Sequence, residues 1–257
     1  MKKGKYSQGL TKKYIFKNIW LFLPCHNEEE NLEPLVRKIL GLKVSHLHIV
    51  IINDASLDKT SKIADALAGK YKNVKVVHRQ PPRGRALAGK DGFRFCLNKK
   101  ADVIIEMDAD FSHQPKYIPQ FLRELEKGES DVILGSRFIK GGSDANRDPF
   151  RTFVSKLSGV FLRLVLGIKL KDMGSGYKVY KGNVLEKIKV NQFFSKKGLA
   201  ISMESIFRVL KAGFKVKEMP IVFVDRRAGK SKLSWKDFFE PILIAFKLVI
   251  RLGRFSS

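Results

Sequence analysis

Residues 47–71, LHIVIINDASLDKTSKIADALAGKY, decide the fold. Apolar and mostly β-branched side chains run from Leu47 to Ile52, then the chain turns polar at Asn53 and Asp54. A run this short and continuous is the signature of a strand buried on both faces. The following segment carries small and apolar residues at helical spacing, with Ser56 or Asp58 as candidate caps. Strand, polar turn, helix is the repeating unit of a parallel sheet.

The same unit recurs on both sides. NIWLFLPC reads as a strand ended by Pro24. NEEENLEPLVRKILGL reads as a helix with Asn27 as cap candidate, acids in its first turn and Leu32, Leu35, Val36 and Ile39 on one face. VKVVHR, DVIIEMDAD and DVILGSR are further strands, and GRALAGKDGFRFCLNK and PKYIPQFLRELEKG further helices. The predicted fold is α/β, a Rossmann-like and mostly parallel sheet with helices on both faces. After residue 140 a polar loop, KGGSDANRDPFR, leads into the amphipathic helix RTFVSKLSGVFLRLVLGI. DMGSGYKVYKG reads as a turn and short strand, AISMESIFRVLKAGF as a helix, and KVKEMPIVFVDRRAGKSKLS as a strand running into a basic glycine loop. The expected organisation is a basic arm over residues 1–17, a single catalytic domain over 18–235 and an amphipathic helix over 236–257.

The bulk numbers narrow the function. With 257 residues, 44% of them hydrophobic, the chain can bury a full core and is no disordered tail. Fifty Lys and Arg against 25 Asp and Glu attract polyanions: nucleic acid, an anionic membrane or phosphorylated substrates. Nucleic acid is disfavoured, because no recognition-helix, zinc or RNP-type pattern is present. The two cysteines, Cys25 and Cys96, lack metal-ligand spacing and suit a reducing cytosol. The apolar run near the N-terminus is too short for a secretory core. No stretch reaches the ~18 uncharged apolar residues of a spanning helix, so a peripheral protein on the cytoplasmic face of a membrane is expected.

In parallel sheets ligands sit beyond the carboxyl ends of the strands. Those ends carry PCHNEE, NDAS, HRQPPRG, DADFSH and GSRF. Asp108 and Asp110, one residue apart, can present both carboxylates to one hard divalent cation. Alone the triplet is a weak signal with a solvated turn as its alternative; the strand-end position favours the ligand. Asp54 can accept hydrogen bonds from a base or ribose and stands free of the capping role. Asn27 and Glu28 serve either a ligand or the helix start. The basic phosphate candidates are Arg79, Arg83, Arg85, Arg137, Arg147, Arg151, Arg226 and Lys232. Arg151 and Ser155 share a helix face, and DRRAGKSK suits a loop closing over phosphate oxygens. His26 and His113 read as structural or peripheral, and Cys25 as a small buried filler.

Nine ordered blocks, among them LPCHNEEENL, VIINDASLDKT, EMDADFSHQP, RTFVSK and FVDRRAGKSKLS, resemble dolichyl-phosphate mannose synthase-like polyprenyl-phosphate hexosyltransferases. These belong to the inverting family 2 glycosyltransferases, and the resemblance covers residues 20 to 235. It implies a nucleotide-diphospho-sugar transferase fold. It implies that Pro24, Asn27, Glu28, Asp54, Arg79 and Asp108 engage the nucleotide sugar, with Arg226 and Lys232 on its diphosphate. Asp108, Asp110 and Ser112 would hold Mg2+ or Mn2+, and Arg137, Arg151 and Ser155 the acceptor phosphate. Asp108, Asp110, Arg137 and Arg151 would carry catalysis. The implied reaction moves mannose from GDP-mannose onto a polyprenyl phosphate; glucose from UDP-glucose is the alternative, and a sugar-phosphate nucleotidyltransferase is a more distant one. The C-terminal WKDFFEPILIAFKLVIRLGRF, with Lys247, Arg251 and Arg254 as a basic stripe, fits an interfacial helix on an anionic membrane surface.

Overall fold

The computed structural model describes residues 12–145, 149–196, 198, 200–224 and 236–255. In order they form β1 (Ile19–Cys25), α1 (Leu32–Leu40), β2 (Leu47–Asp54), α2 (Thr60–Lys70), β3 (Val74–Arg79), α3 (Arg85–Asn98), β4 (Val103–Glu106) and α4 (Ile118–Glu126). Then come β5 (Val132–Ser136), β6 (Ser143–Ala145), α5 (Pro149–Leu166), β7 (Lys178–Lys181), α6 (Gly182–Lys187), α7 (Ala200–Lys211), β8 (Val216–Pro220), β9 (Val222–Val224) and α8 (Lys236–Leu252).

Seven strands make one sheet in the order β3-β2-β1-β4-β7-β5-β8. All run parallel except β7, which inserts antiparallel between β4 and β5. β6 and β9 pair in parallel as a separate ribbon. The strand KVKEMPIVFV expected from the sequence is therefore two, with the chain changing sheets after Pro220 and burying Ile221 between them.

Period-two alternation divides the strand side chains between two cores. Ile19, Leu21 and Leu23 of β1 and Ile49 and Ile51 of β2 point to one face, covered by α1, α2 and α4. Trp20 and Phe22, with Val50 and Ile52, point to the other, covered by α3, α5, α6, α7 and α8. A Cβ at position 92 would collide with the Phe22 ring, so Gly92 lets α3 lie close on the sheet. Ala245 and Leu248 of α8 join this second core. Cys25 and Cys96 are both buried, and burial pushes the Cys96 pKa up.

Three local expectations change. Helix α1 begins at Leu32 with Asn31 in the cap position, and Asn27 lies upstream with φ +52°. Strand β4 stops at Glu106, so Asp108 and Asp110 stand in the turn beyond it. Arg254 lies past the end of α8 and donates to the Leu164 carbonyl, so the C-terminal basic stripe keeps only Lys247 and Arg251 on the helix.

Candidate active site

The strand ends bring the polar groups to one edge of the sheet, where the ligand crevice of a parallel sheet is expected. The β1 loop is laced to the β2 loop: Asn27 accepts from the Leu57 amide (2.8 Å) and its own amide donates to Ser56 (3.0 Å). The Glu28 amide donates to Thr60 Oγ1 (2.8 Å), and its carboxylate accepts from Asn31 (2.8 Å). Asn27 is thus no helix cap; its left-handed backbone, which Asn tolerates well, turns the loop. Pro24 stands one residue before the end of β1, opposite Ile52.

Asp54 is not a free carboxylate. It is buried, ion-paired with Arg79, and accepts from the Gly84 amide (2.8 Å). Arg79 also reaches Asp91 (2.6 Å). Asp54 and Arg79 are register neighbours on β2 and β3, which is why they meet. His26 bridges the Asp54 carbonyl (2.9 Å) and Arg83 (3.3 Å).

The acidic end is a balanced ion cluster. Glu106 and Lys178 are register neighbours on β4 and β7, fully buried and 3.0 Å apart. Arg85, the first residue of α3, donates to Glu106 (2.9 Å) and through Nε and Nη2 to Asp108 Oδ1 (3.1 and 3.0 Å). Burial pushes the Asp108 carboxyl up, but Arg85 and the other nearby basic groups outweigh this and hold it below the usual carboxylate range. Asp110 accepts from the Ser112 amide (3.0 Å) and hydroxyl (2.5 Å), which fixes the turn. His113 is buried, and its Nδ1 accepts the Asp108 amide (3.2 Å), so the ring proton sits on Nε2. Burial pushes its pKa down. The DMGSG turn closes over the acids: a Cβ at Gly176 would stand 2.9 Å from Asp108 Oδ2.

Asp108, Asp110 and the Ser112 hydroxyl offer only oxygen donors, the type a hard divalent cation takes. Among the described residues no three acidic, histidine or cysteine side chains converge tightly enough to hold a metal alone. That suits a cation that completes its shell with water and substrate phosphate.

On the second half of the chain Arg137 is clamped by Asp172: Nε and Nη2 donate to its two oxygens at 2.8 and 2.7 Å. The Arg137 guanidinium also lies over the Phe138 and Phe223 rings, at 4.8 and 5.2 Å from their centroids. The Lys171 and Asp172 amides donate to Glu218 (2.9 and 3.0 Å), bracing that clamp. His113 packs edge-on against Phe223 (5.4 Å), so Arg137 and the acidic turn share one wall. Ser155 is half-buried on α5. The Arg151 side chain, Arg147, Arg226 and Lys232 lie outside the described residues. Sequence reasoning missed Asp172 and Lys178; the only trace of the latter was a lysine flanked by apolar residues in a strand.

The family model for glycosyl transferase family 2 matches residues 20–189. The chain is a family 2 glycosyltransferase. It is 35% identical over 82% of its length to an undecaprenyl-phosphate mannosyltransferase of Micrococcus luteus, covering 86% of that protein. It is also 35% identical over 86% of its length to a polyprenol monophosphomannose synthase of Mycolicibacterium smegmatis, covering 83% of it. In three dimensions it is similar to glucosyl-3-phosphoglycerate synthase of Mycobacterium tuberculosis, solved with Mn2+, UDP and glucosyl-3-phosphoglycerate. The TM-score is 0.65 at 19% identity, over 94% of this chain and 82% of that one, a likeness of fold.

The glycosyltransferase also carries an apolar outer surface. Leu157, Phe161 and Leu164 of α5 and Phe239, Leu243, Phe246 and Ile250 of α8 are exposed. These residues fall at i, i+4 and i+7 on α5 and at i, i+4, i+7 and i+11 on α8 and so share one face of each helix, while Ala245 and Leu248 of α8 bury the opposite one. The two faces meet where Phe161 packs on Phe246 (6.4 Å between centroids). Among the described residues no helix is long and apolar enough to cross a membrane.

Proposed function

We propose that this glycosyltransferase moves mannose, from GDP-mannose, onto a polyprenyl phosphate at the cytoplasmic face of a membrane, with inversion at the anomeric carbon. The observation that carries the reading is the position of helix α5. Its first turns hold Arg151 and Ser155, its Lys156 ammonium lies over the same Phe138 ring (6.0 Å to the centroid) on which Arg137 packs, and its later turns expose Leu157, Phe161 and Leu164. A lipid whose phosphate enters the crevice would leave its tail on that apolar surface. The kinship with two polyprenyl-phosphate mannosyltransferases supports the sugar and the acceptor class.

The chemistry needs no strong base, because a phosphate monoester is already an anion with a second pKa near ~6. What it needs is two anions held together. Arg137 and Arg151, with Ser155, would bind the acceptor phosphate and set its oxygen in line with the anomeric carbon. Asp172 holds the Arg137 guanidinium in one orientation through two bonds, so the orienting work is done before substrate arrives. Pro24, Asn27, Glu28, Asp54 and Arg79 would receive the nucleoside, and Arg226 and Lys232 its diphosphate. Mg2+ or Mn2+ on Asp108, Asp110 and Ser112 would supply Lewis-acid neutralisation of the departing diphosphate. The net charge of +25 suits an anionic leaflet.

The test is a donor screen: purified protein, Mg2+ or Mn2+, a short polyprenyl phosphate in mixed micelles, and labelled GDP-mannose or UDP-glucose. Labelled mannolipid is expected. Glucolipid alone would replace the donor assignment, and glycolipid from neither sugar would refute the reading.

A further inference from the structure

Arg85 stands where no part of the reaction described above uses it. It opens α3 and spends three hydrogen bonds on two acids, one on Glu106 and two on Asp108 Oδ1. Its third nitrogen, Nη1, is buried and has no hydrogen-bond partner among the described residues. Gly89 makes room for that nitrogen: a Cβ there would lie 3.1 Å from it. So the guanidinium is anchored on one side and unsatisfied on the other, an arrangement that is costly unless an acceptor arrives.

The charges around it explain why this matters. Glu106 and Asp108 face Arg85 and Lys178, and the two cations already neutralise them through bonds of 2.9 to 3.0 Å. A divalent cation placed on Asp108 must therefore share that carboxylate with a fixed guanidinium, which already holds Oδ1. At such separations like charges repel by far more than a factor of ten in affinity, even at the effective dielectric of a protein. A nucleoside diphosphate brings the missing negative charge and supplies acceptor oxygens in the crevice.

We propose that Arg85 is a positioning residue that occupies Asp108 until the donor arrives, tying cation binding to diphosphate binding. This rests on the reading that Asp108 ligates the cation. The enzyme without nucleotide binds the cation weakly; with the diphosphate in place the guanidinium shifts its bonds toward phosphate oxygen, and Asp108 Oδ1 is released to the metal. Glu106, pinned by Lys178, keeps Arg85 within reach in both arrangements.

Mn2+ binding to the purified protein, followed by the electron paramagnetic resonance signal of free Mn2+, tests this without turnover. It is measured alone and with GDP or UDP, against protein-free titrations of each nucleotide. In the wild-type protein at least one diphosphate is expected to tighten Mn2+ binding by about tenfold or more. Arg85→Met is expected to bind Mn2+ alone at least ~10-fold tighter than wild type, and to show correspondingly less gain from nucleotide. Equal Mn2+ affinity in wild type with and without either diphosphate overturns the proposal, and needs no variant. So does a folded Arg85→Met protein whose Mn2+ affinity is unchanged. Asp108→Asn separates the two claims: if it binds Mn2+ as wild type does, the assignment of Asp108 as ligand fails, whatever Arg85 does.

Discussion

Replacing Lys178 by Met strands part of a buried charge cluster, and the structure sets the size of the effect. Lys178 and Glu106 are 0% and 1% exposed and 3.0 Å apart. Removing one member of such a pair costs about 3–5 kcal/mol, because the remaining charge has lost its partner. After Lys178→Met, Glu106 keeps Arg85 at 2.9 Å, so a loss near the lower end, about 3 kcal/mol, is expected. Glu106→Gln strands the lysine instead. Its escape is to shed a proton, and from an ordinary amine pKa near ~10.4 that costs at most about 5 kcal/mol at pH 7. Burial already pulls the Lys178 pKa down against the pull of Glu106, so the loss falls below that ceiling. The double variant removes both charges, and its loss is expected to be about 2 kcal/mol smaller than the sum of the singles. Urea unfolding of the four proteins, compared at equal m-values, gives these differences. Single variants within about 0.5 kcal/mol of wild type, or strictly additive losses, would refute the reasoning.

Gly176→Ala is expected to cut kcat/KM by about tenfold or more at nearly unchanged melting temperature, since its Cβ would press on the Asp108 carboxylate at 2.9 Å. An unaffected rate would show that Asp108 tolerates displacement. For His113, burial holds the folded pKa below the ordinary value. The unfolded chain takes up a proton near pH ~6.5 while the folded ring stays neutral, so the unfolded state binds more protons and this group's contribution to stability is lost as pH falls below that value. Imidazole NMR should show His113 titrating below an ordinary histidine, and pH-dependent urea midpoints should lose the matching slope when His113 is replaced by Gln. Phe246→Glu with Ile250→Glu puts charge on the exposed face of α8 and is expected to weaken sedimentation with anionic vesicles at least ~10-fold. Transfer to a short-chain acceptor in micelles should change little.

Much of this was legible in the sequence because the strands are short, apolar and β-branched and the acids stand at their ends. Residues 47–71 alone give strand, turn and helix within a few positions of where they occur. What stayed hidden was pairing. Asp54 and Arg79 meet only because β2 and β3 align them, and Glu106 and Lys178 only because β7 enters antiparallel beside β4. Register depends on long-range packing, and a four-residue strand such as KVYK has no periodicity that announces its neighbour. The start of α1 was displaced for a local reason: Asn27 and Asn31 bracket an acidic run, both are plausible caps, and the left-handed backbone at Asn27 decides between them. The exposed face of α5 was hidden as well, since the sequence pattern alone reads as an ordinary core-facing amphipathic helix.

The central claim is that Asp108 and Asp110 act on the departing diphosphate through a divalent cation. It is tested most directly by glycolipid formation from saturating labelled donor and polyprenyl phosphate, measured for wild type, Asp108→Asn and Asp110→Asn, each with added Mn2+ and with chelator. The expected result is loss of product in both variants and in chelated wild type, with folding intact. Normal turnover by either variant, or by wild type under chelation, would contradict it.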